Sequence, residues 1–253
     1  MRCGPGDPNL DCMNNAHTLV ALVTGASRGL GQALAGGLAE SGYSLIVDAR
    51  NASALSAAVA SLPAAAEVKV VAGDVTDPTH REALRAAAAD AGGLDLLVNN
   101  AGTLGASPLP PLAAYPIAEL RASFEANVIA PLALIQLMLP WLRERGGAIL
   151  NITSDAAVEA YAGWGGYGAA KAALEQASNV LAAEENTVRT WWVDPGDLRT
   201  AMHQRAFPGE DISDRPLPAT VVPAFVRLVR ERLPSGRYRA ADLFQVSDTH
   251  VFS

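Results

Sequence analysis

The sequence predicts an α/β fold: a mostly parallel, seven-stranded sheet with helices on both faces. Three observations lead there. From Thr18 onward, short apolar runs alternate with longer helical stretches. Several runs are apolar at nearly every position, as strands covered on both faces require. A glycine-rich turn joins the first run to the first helical stretch.

The predicted strands are residues 19–23, 44–47, 68–71, 94–98, 148–152 and 188–193, with a weaker seventh near 237–240. The helical stretches between them are about 29–41, 52–61, 77–91, 117–144, 167–185 and 218–232. Residues 1–16 are rich in Gly, Pro, Asn and Asp and carry no hydrophobic period, which predicts a flexible N-terminal extension. Residues 17–253 show neither an internal repeat nor a dividing linker, so one domain is expected. Two connections, 101–116 and 195–217, are long, contain several prolines and follow strand ends, where open α/β sheets bind ligands.

Half of the 253 residues are hydrophobic, enough to bury a large core. The net charge of −7 argues against nucleic acid or an anionic membrane surface as a partner. Only Lys69 and Lys171 are lysines. The two cysteines, Cys3 and Cys12, read as free thiols, and two alone do not make a zinc site. His203 has no clustered partners, so no metal is expected. There is no apolar run before residue 18, and the apolar stretch 128–142 is interrupted by Pro131 and Pro140; a cytoplasmic protein without a membrane span is expected.

The turn reads Thr24-Gly25-Ala26-Ser27-Arg28-Gly29-Leu30-Gly31. Glycines there allow a tight turn and close backbone approach to a pyrophosphate, and the helix start supplies free N–H groups and a positive dipole end. The spacing differs from G-x-G-x-x-G, but the position is that of a Rossmann-type dinucleotide site.

The same segment resembles the cofactor motif of the short-chain dehydrogenase/reductase family in its single-domain form of roughly 250 residues. The resemblance continues through Asn99-Asn100-Ala101-Gly102, Asn127, Ser154, Tyr167 with Lys171, and Pro195-Gly196. It implies a doubly wound sandwich, a nicotinamide cofactor, and hydride transfer between that cofactor and a carbonyl or alcohol. On the residues matched, it implies cofactor contacts from Gly25, Ser27, Arg28, Gly29, Leu30 and Gly31, from Asn100, Ala101 and Gly102, and from Pro195, Gly196 and Thr200. Asp74-Val75 resembles the pair that contacts the adenine; it is equally a helix boundary.

Charge bears on the choice of nucleotide. A carboxylate after the second strand suits a free ribose 2′-hydroxyl, whereas a 2′-phosphate prefers arginine. Counting from Gly42, the family's acidic position falls on Ala49, and Arg50 stands where NADP-preferring members carry a basic residue. Arg28 is a second such cation. NADP(H) is therefore expected; a register shifted by one residue would put Asp48 on the ribose and favour NAD(H).

Tyr167 and Lys171 are spaced i, i+4, which puts them on one face of a helix. A tyrosine titrates near 10. The ammonium and an oxidised nicotinamide both favour phenolate, bringing the phenol toward acid/base use near neutral pH. Ser154 lies thirteen residues before Tyr167, where the family places its carbonyl-orienting serine. Thr153 is the adjacent alternative, and neighbours on an extended strand point to opposite faces. Asn127 corresponds to an asparagine that holds a water in a relay to Lys171; a buried asparagine bonding to backbone is the plainer reading, and both can hold. Lys171 is also expected to touch the nicotinamide ribose.

Tyr161, Trp164, Met202, His203 and Phe207 fall in the predicted substrate loops and suggest an apolar or aromatic pocket. Trp191 and Trp192 read as core. The resemblance implies a homodimer or homotetramer through helices 117–144 and 167–185. An NADP(H)-dependent ketoreductase or alcohol dehydrogenase is the function expected; the alternative is a non-catalytic NADP(H)-binding sensor or partner-binding subunit.

Overall fold

The computed structural model describes residues 18–244. The predicted N-terminal extension, with Cys3 and Cys12, lies outside these residues. Seven strands form one sheet: β1 (Val20–Val23), β2 (Ser44–Ala49), β3 (Val68–Ala72), β4 (Leu96–Asn99), β5 (Ala148–Ile152), β6 (Arg189–Asp194) and β7 (Gly236–Arg239). Their order is β3-β2-β1-β4-β5-β6-β7, and all six pairings are parallel. The sequence reading of a doubly wound, mostly parallel sheet thus becomes a wholly parallel one.

Alternation along each strand divides the core. On β1, Ala21 and Val23 join Leu34 of α1 (Gly29–Glu40), Leu55 of α2 (Ala52–Val59) and Phe225 of α8 (Val222–Arg230) on one face. Val20 and Leu22 join Leu84 of α3 (Pro78–Asp90) and Leu134 and Met138 of α5 (Ala130–Arg145) on the other. Burial on both faces explains why these strands are unbroken apolar runs. β7 (GRYR) is an edge strand with half-exposed residues, so its apolar signal is faint.

The predicted helix 117–144 is longer and less regular than its pattern suggests. It comprises α4 (Ile117–Phe124), a π-helical turn at Glu125–Ile129, and α5, running without a break from Ile117 to Arg145. Pro131, just after the π-helical turn, and Pro140 both lie inside this continuous helix, and neither ends it. The expectation of an apolar stretch too short and broken to span a bilayer is therefore corrected: by length and composition this 29-residue helix could cross a membrane. Its Leu134, Ile135, Met138 and Leu142 are nonetheless packed into the protein core. The two remaining helices are α6 (Gly165–Glu184) and α7 (Ala201–Ala206).

The chain leaves β1 toward β2 and β3, then returns to β4 on β1's other side. The loops after β1 and β4 therefore diverge, opening a crevice at the carboxyl ends of the strands.

Candidate active site

A cleft of about 1060 Å³ opens at that crevice. Every cofactor candidate named from the sequence lines it, as do Ser154, Tyr167 and Lys171. Asn127 does not; it is fully buried.

The nucleotide half begins at Thr24. Its hydroxyl donates to the Val98 carbonyl at 3.2 Å and accepts from the Asn100 and Ala101 N–H groups, both at 3.0 Å. Asn100 returns its amide to the carbonyls of Thr24 (2.8 Å) and Gly25 (3.3 Å). These bonds stitch the loops after β1 and β4 together. Gly25 has φ +68°, and a Cβ on Gly31 would collide with the Asn100 amide and the Gly25 carbonyl, so side chains are excluded at both positions. Arg28 is the N-cap of α1 but offers no capping side chain, and the first turn holds no acidic residue. The helix start keeps free N–H groups and an uncompensated positive end. This cradle fits the pyrophosphate of a dinucleotide.

Asp48 is 1% exposed. One carboxylate oxygen accepts the Gly25 N–H at 2.9 Å, and the other lies 3.0 Å from His80 Nε2. Burial raises its pKa, against the bonds from His80 and Gly25. Both oxygens are engaged within the loop's own support. Arg50, two residues on, is exposed and lines the cleft with Asp74. Burial alone would raise the Asp74 pKa, but hydrogen bonds from Thr76 and the charge of Arg50 hold it below the usual carboxylate value.

The other half is built from β5 and α6. Three consecutive residues at the end of β5 each have a separate anchor. The Ile152 carbonyl accepts from Lys171 Nζ at 2.7 Å. Thr153 donates its hydroxyl to Glu175 at 2.8 Å. The Ser154 carbonyl accepts from Arg237 on β7 at 3.4 Å, and Arg237 also pairs with Glu175 at 3.0 Å. Thr153 therefore faces Glu175, and Ser154 faces the cleft. The Ser154 hydroxyl donates to Asp155 at 2.8 Å and accepts from the Ala156 N–H at 3.2 Å; Tyr161 donates to the other Asp155 oxygen at 3.0 Å.

Burial lowers the Lys171 pKa to about 8, with the charge of Glu175 opposing it. Burial raises the Tyr167 pKa well above its ordinary value, and Asp194 and Asp155 push the same way. Lys171 Nζ stands 5.6 Å from the centre of the Tyr167 ring. Among the protein's own groups, burial and the two carboxylates thus outweigh the ammonium; the nicotinamide charge, the other half of the expectation, acts on the phenol only with the cofactor bound.

Asn127 sits in the π-helical turn. Its amide donates to the Thr103 carbonyl at 2.8 Å and to Ser123 at 3.0 Å, and its side-chain oxygen accepts the Thr103 N–H at 3.0 Å. The side chain thus ties this helix to the loop after β4, as the plainer reading supposed.

Beyond Tyr167 lies an apolar end. Trp164 meets Tyr167 edge-on at 5.8 Å, and Phe207 is 6.0 Å from Trp164. Met202 and Leu104 pack with them. Met202 and His203 lie on α7, a helix the sequence reading left inside a loop; Thr200, read there as a cofactor contact, caps it by accepting the His203 N–H at 3.1 Å. Asp194, given no role from the sequence, accepts the Gly196 N–H at 2.9 Å and holds the turn after β6. Asp155 fell inside the predicted substrate loop 155–166 without a role of its own. His80, Glu175 and Arg237 were missed, and of these Glu175 carried a local signal, its i+4 spacing from Lys171.

The glycine loop and the Ser154, Tyr167 and Lys171 side chains thus line one cleft. The family profile described as short chain dehydrogenase matches residues 19–211. The chain is 36% identical over 176 residues to a rhamnolipid-biosynthesis 3-oxoacyl-[acyl-carrier-protein] reductase of Pseudomonas aeruginosa, covering 65% of this chain and 66% of that one. It is 35% identical over 183 residues to a serine 3-dehydrogenase of Rhizobium radiobacter, covering 71% and 72%. A short chain dehydrogenase from Shigella flexneri, solved in complex with NADP, superposes with a TM-score of 0.80 at 28% identity, covering 89% of this chain and 99% of that one. The chain belongs to the short-chain dehydrogenase family and is an oxidoreductase of that family.

Proposed function

We propose that this protein is an NADP(H)-dependent carbonyl reductase, reversible as an alcohol dehydrogenase. The observation that carries the reading is the meeting of Ser154, Tyr167 and Lys171 with the glycine loop in one cleft. The choice of NADP rests on Arg50: it is exposed at the cleft while Asp48 is turned inward to Gly25 and His80. Arg50 and Arg28 would hold the 2′-phosphate, the loop Gly25–Gly31 the pyrophosphate, and Asp74-Val75 the adenosine.

The bound nicotinamide supplies or takes the hydride. Tyr167 would give the proton to the substrate oxygen in the reducing direction, as that oxygen becomes basic on receiving the hydride. Ser154 turns its hydrogen from Asp155 to the same oxygen, where negative charge develops. Lys171 holds the nicotinamide ribose. Trp164, Phe207, Met202 and Leu104 exclude water from the reacting centre and favour an apolar or aromatic carbonyl compound. A homodimer or homotetramer, acting in the cytoplasm, belongs to this reading; exposed Ile117, Ile129 and Val180 on α4, the π turn and α6 support self-association.

The test is titration with NADPH and NADH, followed by tryptophan quenching, for the natural protein and Arg50→Ala. Tighter NADPH binding that weakens in the variant is expected. Tighter NADH binding would overturn the NADP assignment, and binding of neither nucleotide would overturn the enzymatic one.

A further inference from the structure

Two adjacent residues in the first turn of α3 reach the nucleotide cleft indirectly and take no part in the chemistry above. His80 is 7% exposed, with its Nε2 at Asp48. Its ring occupies space that exists only because residue 73 is glycine, since a Cβ there would collide with the imidazole. Asp48 passes the contact on: its second oxygen accepts the Gly25 N–H, and its backbone carbonyl accepts the Ala26 N–H at 2.8 Å. Arg81, 8% exposed, points elsewhere and donates to the Val75 carbonyl at 2.7 Å. Asp77 caps this turn by accepting the Thr79 N–H at 2.8 Å, so both residues leave a fixed helix start.

We propose that His80 and Arg81 are positioning residues for nucleotide binding: His80, through Asp48, sets the glycine loop that receives the pyrophosphate, and Arg81 sets the Asp74-Val75 wall that receives the adenosine. The inference rests on the nucleotide-binding reading above. A loop that turns at a glycine with positive φ has little conformational preference of its own. What selects its shape is the acceptor offered to Gly25. That acceptor is a buried carboxylate, which needs its second oxygen satisfied to stay in place. His80 satisfies it. The arginine acts in the same way on the neighbouring wall, where its buried guanidinium fixes one carbonyl. One helical turn thereby braces two separate surfaces of the cleft.

The two braces can be separated by ligand. NADPH carries a pyrophosphate; adenosine 2′-phosphate does not. Both are titrated by calorimetry into the natural protein, His80→Phe, His80→Gln and Arg81→Met, with melting temperatures recorded alongside. His80→Phe keeps the ring but loses the donor; NADPH affinity is expected to fall about tenfold with adenosine 2′-phosphate binding unchanged. His80→Gln restores a donor and should recover most of that loss. Arg81→Met should weaken both ligands. If the phenylalanine variant does not fold, His80→Asn, whose amide stops short of Asp48, carries the same comparison. The proposal is overturned if the His80 variants bind NADPH as the natural protein does, or if they lose both ligands equally. Binding of neither ligand by the natural protein would instead overturn the functional reading beneath it.

Discussion

Lys171 and Tyr167 share one face of α6, yet the ammonium nitrogen is 5.6 Å from the centre of the phenol ring and is bonded to the Ile152 carbonyl. The lysine is held by the strand rather than by the tyrosine. Its charge is thus available to a ligand that lies between the two elements.

If Tyr167 is the proton donor, Tyr167→Phe removes the hydroxyl and leaves the ring's contact with Trp164. Turnover should fall by about 10²–10⁴-fold, the usual contribution of a positioned acid. NADPH affinity should stay within about twofold. Steady-state rates and quenching titrations measure the two separately, and a variant that turns over normally would remove Tyr167 from the mechanism.

Asp155 raises the Tyr167 pKa through its negative charge, so Asp155→Asn should lower it. The proposed reduction uses Tyr167 in its protonated form. The alkaline fall in kcat/KM should therefore begin at lower pH in the variant. An unmoved alkaline limb would show that another group controls it.

Glu175 raises the Lys171 pKa, so Glu175→Gln should bring it below about 8. NMR titration of the Lys171 side chain reads this without a substrate. A linked effect appears in stability. Between about 8 and the ordinary 10.5, the unfolded chain holds the lysine proton and the folded chain has lost it, so this group makes stability rise with pH across that window. Below the window both states are charged, and the cost of burying the ammonium is fully present. Denaturation from pH 7 to 10 should show a smaller rise in Lys171→Met than in the natural protein.

Gly31→Ala places a methyl group against the backbone carbonyl of Gly25 and the Asn100 amide, which its bonds to Thr24 and Gly25 hold in place. The loop must shift to make room. Stability should drop by about 1–3 kcal/mol, and NADPH affinity by more than tenfold. Urea denaturation and nucleotide titration check both.

The fold was legible where one residue's neighbours in sequence are also its neighbours in space. The apolar runs of β1, β2, β4, β5 and β6 were plain because those strands are covered on both faces, β3 showed a run although it is a part-exposed edge strand, and the glycine turn was plain because its constraint is local. β7 was faint because a half-exposed edge strand of Gly-Arg-Tyr-Arg needs no apolar pattern. α7 was hidden because its six residues, Ala-Met-His-Gln-Arg-Ala, are too few to show a period. Asp48 shows the limit most clearly. Its position beside Arg50 left two registers open, and the partner that holds it inward is His80, thirty-two residues away, which no local spacing connects to it.

The ends of Ile152, Thr153 and Ser154 are each fastened to a different side chain, two from α6 and one from β7. A strand end held at three successive residues cannot drift as substrate arrives and product departs. The opposite rim, with α7, is held instead by the loop after β4: the Ser107 hydroxyl donates to the Arg205 carbonyl at 2.8 Å, and Arg205 donates to the Gly105 carbonyl at 3.3 Å. Where these few bonds gate the exchange of ligands, loosening them by Ser107→Ala should alter the rate of escape while leaving the chemistry proposed for Ser154 and Tyr167 untouched.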